Sequence, residues 1–421
     1  MSSQSIKLYN LLAKKKLFNK TINFDLKRIK LVLKMLDNPE KRLKNVINIL
    51  GSDGKFSVLI FLKSFIEANG QTTSAYISPS LKSIRERFWL GNRFISYREI
   101  KKTIHLIEKL KTKLTIFELL TVIFILNVSK LKNDFNLIEA GALFAKDSTN
   151  IFDFPLSQIV VNINKQHLNF VKKKTLNEII YQKVGFLSPF TNIYIGKQIN
   201  KTEKKIKFYL KKNKSKKIFS KKWQIVKTKT GYFYTDNKNI IKIKTKFIHS
   251  KGLLDNLGLA IKVALDLGIK KNIISKSIPR IRLNARIQYI DNGKIKKKLN
   301  SKEKLLIDGC HSTTSAKNFA DYLKTLKVKK YGIWGMTENK RPKDFIKQFK
   351  GIFEKVITVP VNNEKEYIAP KKLSNIANEM GFNSEESENY KKAITKISSK
   401  NKKIICIFGS LYLCGNVLKD N

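Results

Sequence analysis

The segment Leu50-Gly51-Ser52-Asp53-Gly54-Lys55-Phe56-Ser57 holds the residue types that chemistry on a phosphate requires. Two glycines let backbone N–H groups approach phosphate oxygens, a lysine can reach the outer phosphates, and a hydroxyl can face Mg²⁺. The segment lies between a strand-like run, Val46 to Leu50, and an apolar helix-like run, Ser57 to Glu67. A strand-to-helix turn brings the positive end of a helix dipole to the same place. The spacing, G-x-x-G-K-x-S, is shorter than G-x(4)-G-K-[ST], and a Gly-Lys turn without a ligand is its plain alternative. Two residues work against the cradle. Asp53 sets a carboxylate where a triphosphate would repel it, and Phe56 stands where a small residue would let the loop wrap tightly.

Other polar residues fall where strands are expected to end. Ser78-Pro79-Ser80-Leu81 reads as a turn. Glu139 closes an apolar strand, with Asp147, Thr149 and Asn150 beyond it, and His167 follows the strand Ile159 to Ile163. Asp308 and His311 close the first strand of a later unit. Ligands of open α/β sheets gather at the carboxyl ends of strands, and Mg²⁺ takes hard oxygen ligands while keeping several waters. Taken singly, a strand-end glutamate is ordinarily solvated and a lone histidine ordinarily structural. Cys310, Cys406 and Cys414 have no metal-ligand spacing and fit a reducing compartment.

The elements that must position these residues follow from the patterning. A chain of 421 residues is too long for one ordinary core, so two domains are expected. Residues 1–45 read as helical, with Asn38-Pro39 as a break, and residues 46–185 alternate strand-like and helix-like segments, the mark of a parallel α/β sheet. Ile138 to Gly141 and Ile159 to Ile163 read as buried strands. Residues 220–248 alternate with a period near two and predict a small antiparallel β section, and Leu253 to Leu267 returns to helix. A second α/β unit is expected from residue 303, with strands at Leu305 to Ile307, Tyr331 to Gly335, Lys355 to Val361 and Lys403 to Phe408, and helices at Ser315 to Leu326 and Pro370 to Met380. The division is placed at residues 1–290 and 291–421. The apolar run Ile116 to Val128 is shorter than a membrane span and reads as a buried helix. Met1 to Lys16 has no apolar signal core, and a cytoplasmic protein without a membrane partner is expected.

The net charge is +53, yet only ten of the 85 basic residues are Arg. Lysine is spread along the whole chain together with abundant Ile and Asn, all three from AT-rich codons, so a solvated lysine coat is favoured over a nucleic-acid footprint.

In their order along nearly the whole chain, these residues resemble the folylpolyglutamate synthase and dihydrofolate synthase family of the Mur ligase superfamily. Gly51 to Ser57 is similar to its GTNGKGS loop. Tyr76 to Leu81, Glu86-Arg87 and Ile95-Ser96 are similar to TSPHL…ERI…IS, and Leu114 to Glu118 with Thr121 to LTxFExxT. Glu139-Ala-Gly141 and Asp147 to Asn150 follow EVGLGGRLDATN, while Thr175-Leu176, Ile179 and Lys183-Val-Gly185 resemble TLxxIAxEKAGI. Arg286 and Gln288 fit PGRxQ, Asp308 to His311 fits DGAH, and Gly409 to Leu413 fits GSLYL. The chain departs from these patterns at Ser52-Asp53 (for TN), Phe56 (for Gly), Ser80 (for His), Leu143-Phe144-Ala145 (for GGR), Gln166 (for the Asp before His167), Gln182 (for the Glu before Lys183) and Asn339-Lys340-Arg341 (for DKD).

The resemblance implies a P-loop, Mur-ligase-type ATP-binding domain and a C-terminal Rossmann-like domain. It implies ligation of L-glutamate to dihydropteroate or a reduced folate, with ATP and Mg²⁺, in a monomer. Position by position, Gly51, Ser52, Asp53, Gly54, Lys55 and Ser57 would hold the ATP phosphates, and Ser78, Glu139 and His167 would serve Mg²⁺. Lys183 would be the lysine that becomes carbamylated, and Lys55, Lys183 and His167 would carry the catalysis. Arg286, Asp308 and His311 would hold ATP from the junction and C-terminal domain, and the loop from Ser78 to Arg87 would lie beside the pterin. A weakened relative that binds folate or nucleotide without efficient turnover, and a basic nucleic-acid-binding protein, are the alternatives.

Overall fold

The computed structural model describes residues 25–338, 340–362 and 366–421. The readings made for residues 1–24 and for Asn339 lie outside the described residues. The chain divides into two compact units: one runs to Thr245 and includes Leu253–Ile281, and the other joins Lys246–Gly252 to Arg282–Asn421.

The first unit is built on seven strands: β1 (Val46–Leu50), β2 (Thr73–Tyr76), β3 (Phe88–Leu90), β4 (Phe135–Glu139), β5 (Ser157–Val160), β6 (Asn192–Ile195) and β7 (Lys216–Phe219). Their order is β3-β2-β4-β1-β5-β6-β7, and every pair is parallel except β2 with β3. β1, β4 and β5 are buried at every position, as strands covered on both faces must be. β1 sits at the centre, with Ile49 beside Glu139 of β4 and Leu50 beside Val160 of β5. The connection after β1 leads to β2 on one side, and the one after β4 crosses to β5 on the other. The carboxyl end of β1 is therefore a topological switch point, where α/β sheets open a crevice.

Helix α1 (Lys55–Ala68) follows β1 directly, α2 (Ile116–Val128) packs against β2 and β3, and α3 (Leu176–Val184) carries Lys183, whose Nζ donates to the Gly51 carbonyl just past β1. The apolar run expected as a buried helix is α2; a capping box between Thr115 and Glu118 starts it. Among the described residues no helix is long and apolar enough to cross a membrane. The period-two region forms a separate antiparallel sheet, β10-β9-β8, from β8 (Trp223–Thr228), β9 (Gly231–Asp236) and β10 (Ile240–Ile243).

The second unit has six strands, β11 (Gln288–Ile290), β12 (Glu303–Asp308), β13 (Lys329–Trp334), β14 (Lys355–Thr358), β15 (Ser384–Glu386) and β16 (Lys403–Phe408), in the order β11-β12-β16-β13-β14-β15. Helices α4 (Thr313–Lys324) and α5 (Leu411–Asp420) follow β12 and β16. The core gathers Phe319, Trp334, Phe345, Phe349 and Phe408.

The mixed α/β class is as expected, and several boundaries move. The strand expected over Ile138 to Gly141 is Phe135–Glu139; the Gly141 N–H instead donates to the Asp147 carboxylate, which makes that glycine part of a loop. The strand expected over Ile159 to Ile163 is Ser157–Val160, and the one expected to reach Val361 ends at Thr358. Gln288–Ile290 pairs antiparallel with β12, so the C-terminal sheet begins well before residue 303.

Candidate active site

β1 ends at Leu50, and the chain turns through Gly51–Gly54 into α1. Gly51 has φ +137° and Gly54 φ +106°, conformations that a side chain rarely tolerates. Close approach imposes the same choice. A Cβ on Gly51 would lie 2.5 Å from the Val161 side chain, and one on Gly54 would lie 2.6 Å from the Asn256 amide nitrogen. Gly54 is the N-cap of α1 and no side chain caps it, so the positive end of the helix is left facing the turn. Ser57 is buried on the first turn of α1, and Phe56 beside it is half-buried.

Lys55 folds back over this turn. Its ammonium lies 3.3 Å from the Gly51 carbonyl oxygen, 3.4 Å from that of Ser52, and 3.9 Å from Glu139 Oε1. Glu139 arrives there because β4 is the parallel neighbour of β1. Its other oxygen accepts the Ser78 N–H at 3.1 Å, while Ser78 Oγ accepts from the Arg87 guanidinium at 2.8 Å. Glu86 accepts the N–H groups of Leu81 and Lys82 and so shapes the loop between Ser78 and Arg87.

Lys183 of α3 is 1 % exposed. Its Nζ donates to the Gly51 carbonyl at 2.8 Å and to the Ala142 carbonyl at 2.6 Å. Burial, reinforced by the nearby Lys55 charge, pushes its pKa down to about 7. Burial also raises Asp147, to about 6, against the N–H and O–H bonds it accepts from Gly141 and Thr149.

Asp53 does not stand as the sequence suggests. Its carboxylate accepts the side-chain amides of Asn164 at 2.6 Å and Gln166 at 2.9 Å. His167 is the next residue; it adopts the left-handed conformation, φ +58°, and stacks on Phe170 with ring centroids 5.8 Å apart.

In the second unit, Arg286, Asp308 and His311 share one small region. The Asp308 oxygens accept the N–H groups of Ile287 at 2.7 Å and Cys310 at 2.8 Å. Burial raises the Asp308 pKa. Arg286 lies between Ala285 and Ile287, both left-handed at φ +55° and +47°. That strained turn is held by Asp308, by the Gln288 side chain on the Ala285 N–H at 2.8 Å, and by the Gly309 N–H on the Ala285 carbonyl at 2.9 Å. His311 Nδ1 lies 2.9 Å from the Gly309 carbonyl oxygen.

The residues singled out in the sequence thus form two groups. One collects Gly51 to Ser57, Ser78, Glu139 and Lys183, with His167 next in the chain to Gln166. The other collects Arg286, Asp308 and His311. Sequence reasoning missed Asn256, which lies over Gly54 from within an apolar helix and carries no local motif. It also missed the amides that receive Asp53.

The metal implied by the resemblance can be tested on the donors present. Among the described residues, no group of three or more His, Cys, Asp and Glu side chains could hold a metal unaided. Glu139 and Ser78, joined by the Ser78 N–H on Glu139 Oε2, nevertheless set a carboxylate beside a hydroxyl, donors of the kind Mg²⁺ takes before completing its shell with phosphate oxygens and water.

Known proteins share this chain's sequence pattern and fold. Residues 288–420 match the family model of the dihydrofolate synthetase C-terminal domain. The chain is 23 % identical over 431 residues to the dihydrofolate synthetase of Saccharomyces cerevisiae, covering 94 % of this chain and 98 % of that one. Over nearly its whole length the chain is similar to the folylpolyglutamate synthase and dihydrofolate synthase family. The dihydrofolate synthase/folylpolyglutamate synthase of Buchnera aphidicola is 24 % identical over 385 residues, 86 % of this chain and 84 % of its own. Solved structures share the fold through the whole chain. E. coli FolC in complex with DHPP and ADP superposes with a TM-score of 0.86 at 18 % identity, over 99 % of this chain and 97 % of that one. Mycobacterium tuberculosis folylpolyglutamate synthase, complexed with ADP and AMPPCP, gives 0.84 at 17 % identity over 100 % and 99 %.

Proposed function

We propose that this chain is an ATP-dependent ligase that joins the amine of L-glutamate to the carboxyl group of dihydropteroate, a reduced folate, or both. The observation that carries the reading is Lys55, held over an uncapped helix N-terminus and 3.9 Å from the buried Glu139. A cation for phosphate oxygens and a carboxylate for a divalent ion share one crevice.

A carboxylate is a poor electrophile. Transfer of the ATP γ-phosphoryl group to a carboxylate oxygen gives an acyl phosphate and ADP. The glutamate amine then attacks the acyl carbon, the C–O bond to phosphate breaks, inorganic phosphate leaves, and the amine gives up its proton as the amide forms. Catalysis of this kind rests on positioning and charge neutralisation. Gly51, Gly54 and the start of α1 cradle the phosphates, with Ser52, Asp53 and Ser57 shaping the turn, and Lys55 neutralises the outer phosphate. The Asn256 amide, beside Gly54, is a further donor for the same oxygens. Glu139, Ser57, Ser78 and His167 are the groups that would hold Mg²⁺, which supplies neutralisation of phosphate charge when bound.

Lys183 suits carbamylation. The reaction needs a neutral amine, and a pKa near 7 keeps a large fraction of Lys183 neutral at physiological pH. Arg286, Asp308 and His311 are assigned to the nucleotide, with Asp308 setting the Arg286 turn. A cytoplasmic monomer is the state proposed for the enzyme.

The test is a substrate screen of the purified protein, reading both ADP release and ligated product. Dihydropteroate or tetrahydrofolate with glutamate, ATP and Mg²⁺ is expected to give both signals. ATP binding without either signal would overturn the ligase reading.

A further inference from the structure

Asp53 stands in a loop proposed to receive a triphosphate, where a carboxylate is unwelcome. The structure accounts for it. Oδ2 of Asp53 accepts Asn164 Nδ2 at 2.6 Å and Gln166 Nε2 at 2.9 Å. The backbone is stitched to the same segment: the N–H groups of Ser52 and Asp53 both donate to the Asn162 carbonyl, at 2.8 and 3.3 Å. Ser52 Oγ accepts the Asn164 N–H at 3.1 Å and lies 3.3 Å from the Asn164 carbonyl oxygen. Residues 51–53 are thereby sewn along residues 161–166, and the seam ends one residue before His167.

Such a seam has a consequence for binding. A turn bearing two glycines loses much conformational freedom when a ligand orders it. A carboxylate bonded by two amides fixes the turn beforehand, and charge-assisted bonds are the stronger kind. Cutting that ordering cost appears as affinity. Against the motif letters quoted above, a carboxylate and an amide have changed places: position 53 has Asp for Asn, and position 166 has Gln for Asp. Either arrangement puts one acceptor carboxylate opposite one donor amide.

We infer that Asp53 and Gln166 are a positioning pair that fixes the phosphate loop to the segment carrying His167 and so preorganises the loop for ATP. The pair acts through the loop, and its role in turnover rests on the ligase reading.

The full chain is tested by calorimetric titration with Mg-ATP, with ADP release measured in parallel and melting used to confirm folding. Asp53→Ala and Gln166→Ala are each expected to weaken ATP about tenfold, and the double variant no more than either alone. Asp53→Asn keeps an acceptor and serves where Asp53→Ala does not fold. The exchange Asp53→Asn/Gln166→Asp is expected to restore ATP affinity to within about threefold of the original. KM for ATP is expected to follow the affinity, with kcat changing far less. ATP binding unchanged or tighter in Asp53→Ala, losses that multiply in the double variant, or an exchange no better than the single changes would overturn the pair. ATP binding that shows the coupling without ligation would sink the ligase reading alone; ligation with no coupling would sink the pair alone.

Discussion

Lys183 Nζ donates to the carbonyl of Gly51 at 2.8 Å, so a buried lysine from α3 fastens the first glycine of the turn from β1 into α1. A charged ammonium in that place would be costly, since burial opposes the charged form. The cost is eased by deprotonation, which is why the pKa falls to about 7.

The sign of the pH effect follows. Between pH 7 and the ordinary lysine value of 10.5, the unfolded chain holds a proton on Lys183 that the folded chain has released. Stability rises with pH wherever the unfolded state binds more protons. Over pH 7 to 9 the stability of the protein relative to Lys183→Met is expected to climb, with a slope approaching about 1.4 kcal/mol per pH unit. Urea unfolding of both proteins at pH 7, 8 and 9 measures it. A constant difference across that range would show that the amine is not held neutral by the fold.

Glu139 makes two separable contacts, and a single substitution distinguishes them. Glu139→Gln keeps an oxygen to accept the Ser78 N–H but removes the charge facing Lys55. Folding should survive, while the divalent-ion requirement changes. ADP release is expected to fall about 100-fold or more at saturating ATP, the scale of losing a charge-stabilising group in an active site, and the Mg²⁺ concentration for half-activity is expected to rise. Turnover within threefold of the original, with unaltered Mg²⁺ dependence, would show that Glu139 does not serve the divalent ion.

Lys55→Ala deletes the ammonium that lies beside both the loop carbonyls and Glu139. ADP release is expected to drop by about 100-fold or more, with melting little altered. Unchanged release would refute the phosphate-loop role.

Much of this was readable from local sequence. The turn from β1 into α1 declared itself through glycine, lysine and serine between two apolar runs, and α2 through an uninterrupted apolar stretch behind Thr115. The direction of the Asp53 side chain was not readable, because its partner Gln166 is 113 residues away and no nearby residue signals it. Asn256 was hidden for a related reason: a polar residue in an apolar helix looks like an exposed face until Gly54 is placed against it. Gln288–Ile290 was missed as a strand because three residues carry too little periodicity to register, and pairing with β12 supplies what the local pattern lacks.

The turn that carries Arg286 offers the last test. Ala285 and Ile287 are both left-handed, and for Ile, β-branched and bulky, that conformation is costly. Asp308 helps hold it by accepting the Ile287 and Cys310 N–H groups on separate oxygens. Asp308→Asn replaces one acceptor with an NH₂ group, which would face an N–H and leave a buried donor unpaired. A loss of about 1–3 kcal/mol is expected, read as a lowered midpoint in chemical unfolding. Asp308→Ala removes both acceptors and should cost at least as much. Arg286→Ala leaves the Asp308 bonds to the backbone in place, so it is expected to weaken ATP binding with a smaller loss of stability than either. An Asp308→Asn protein as stable as the original would mean that the Arg286 turn is held without the carboxylate.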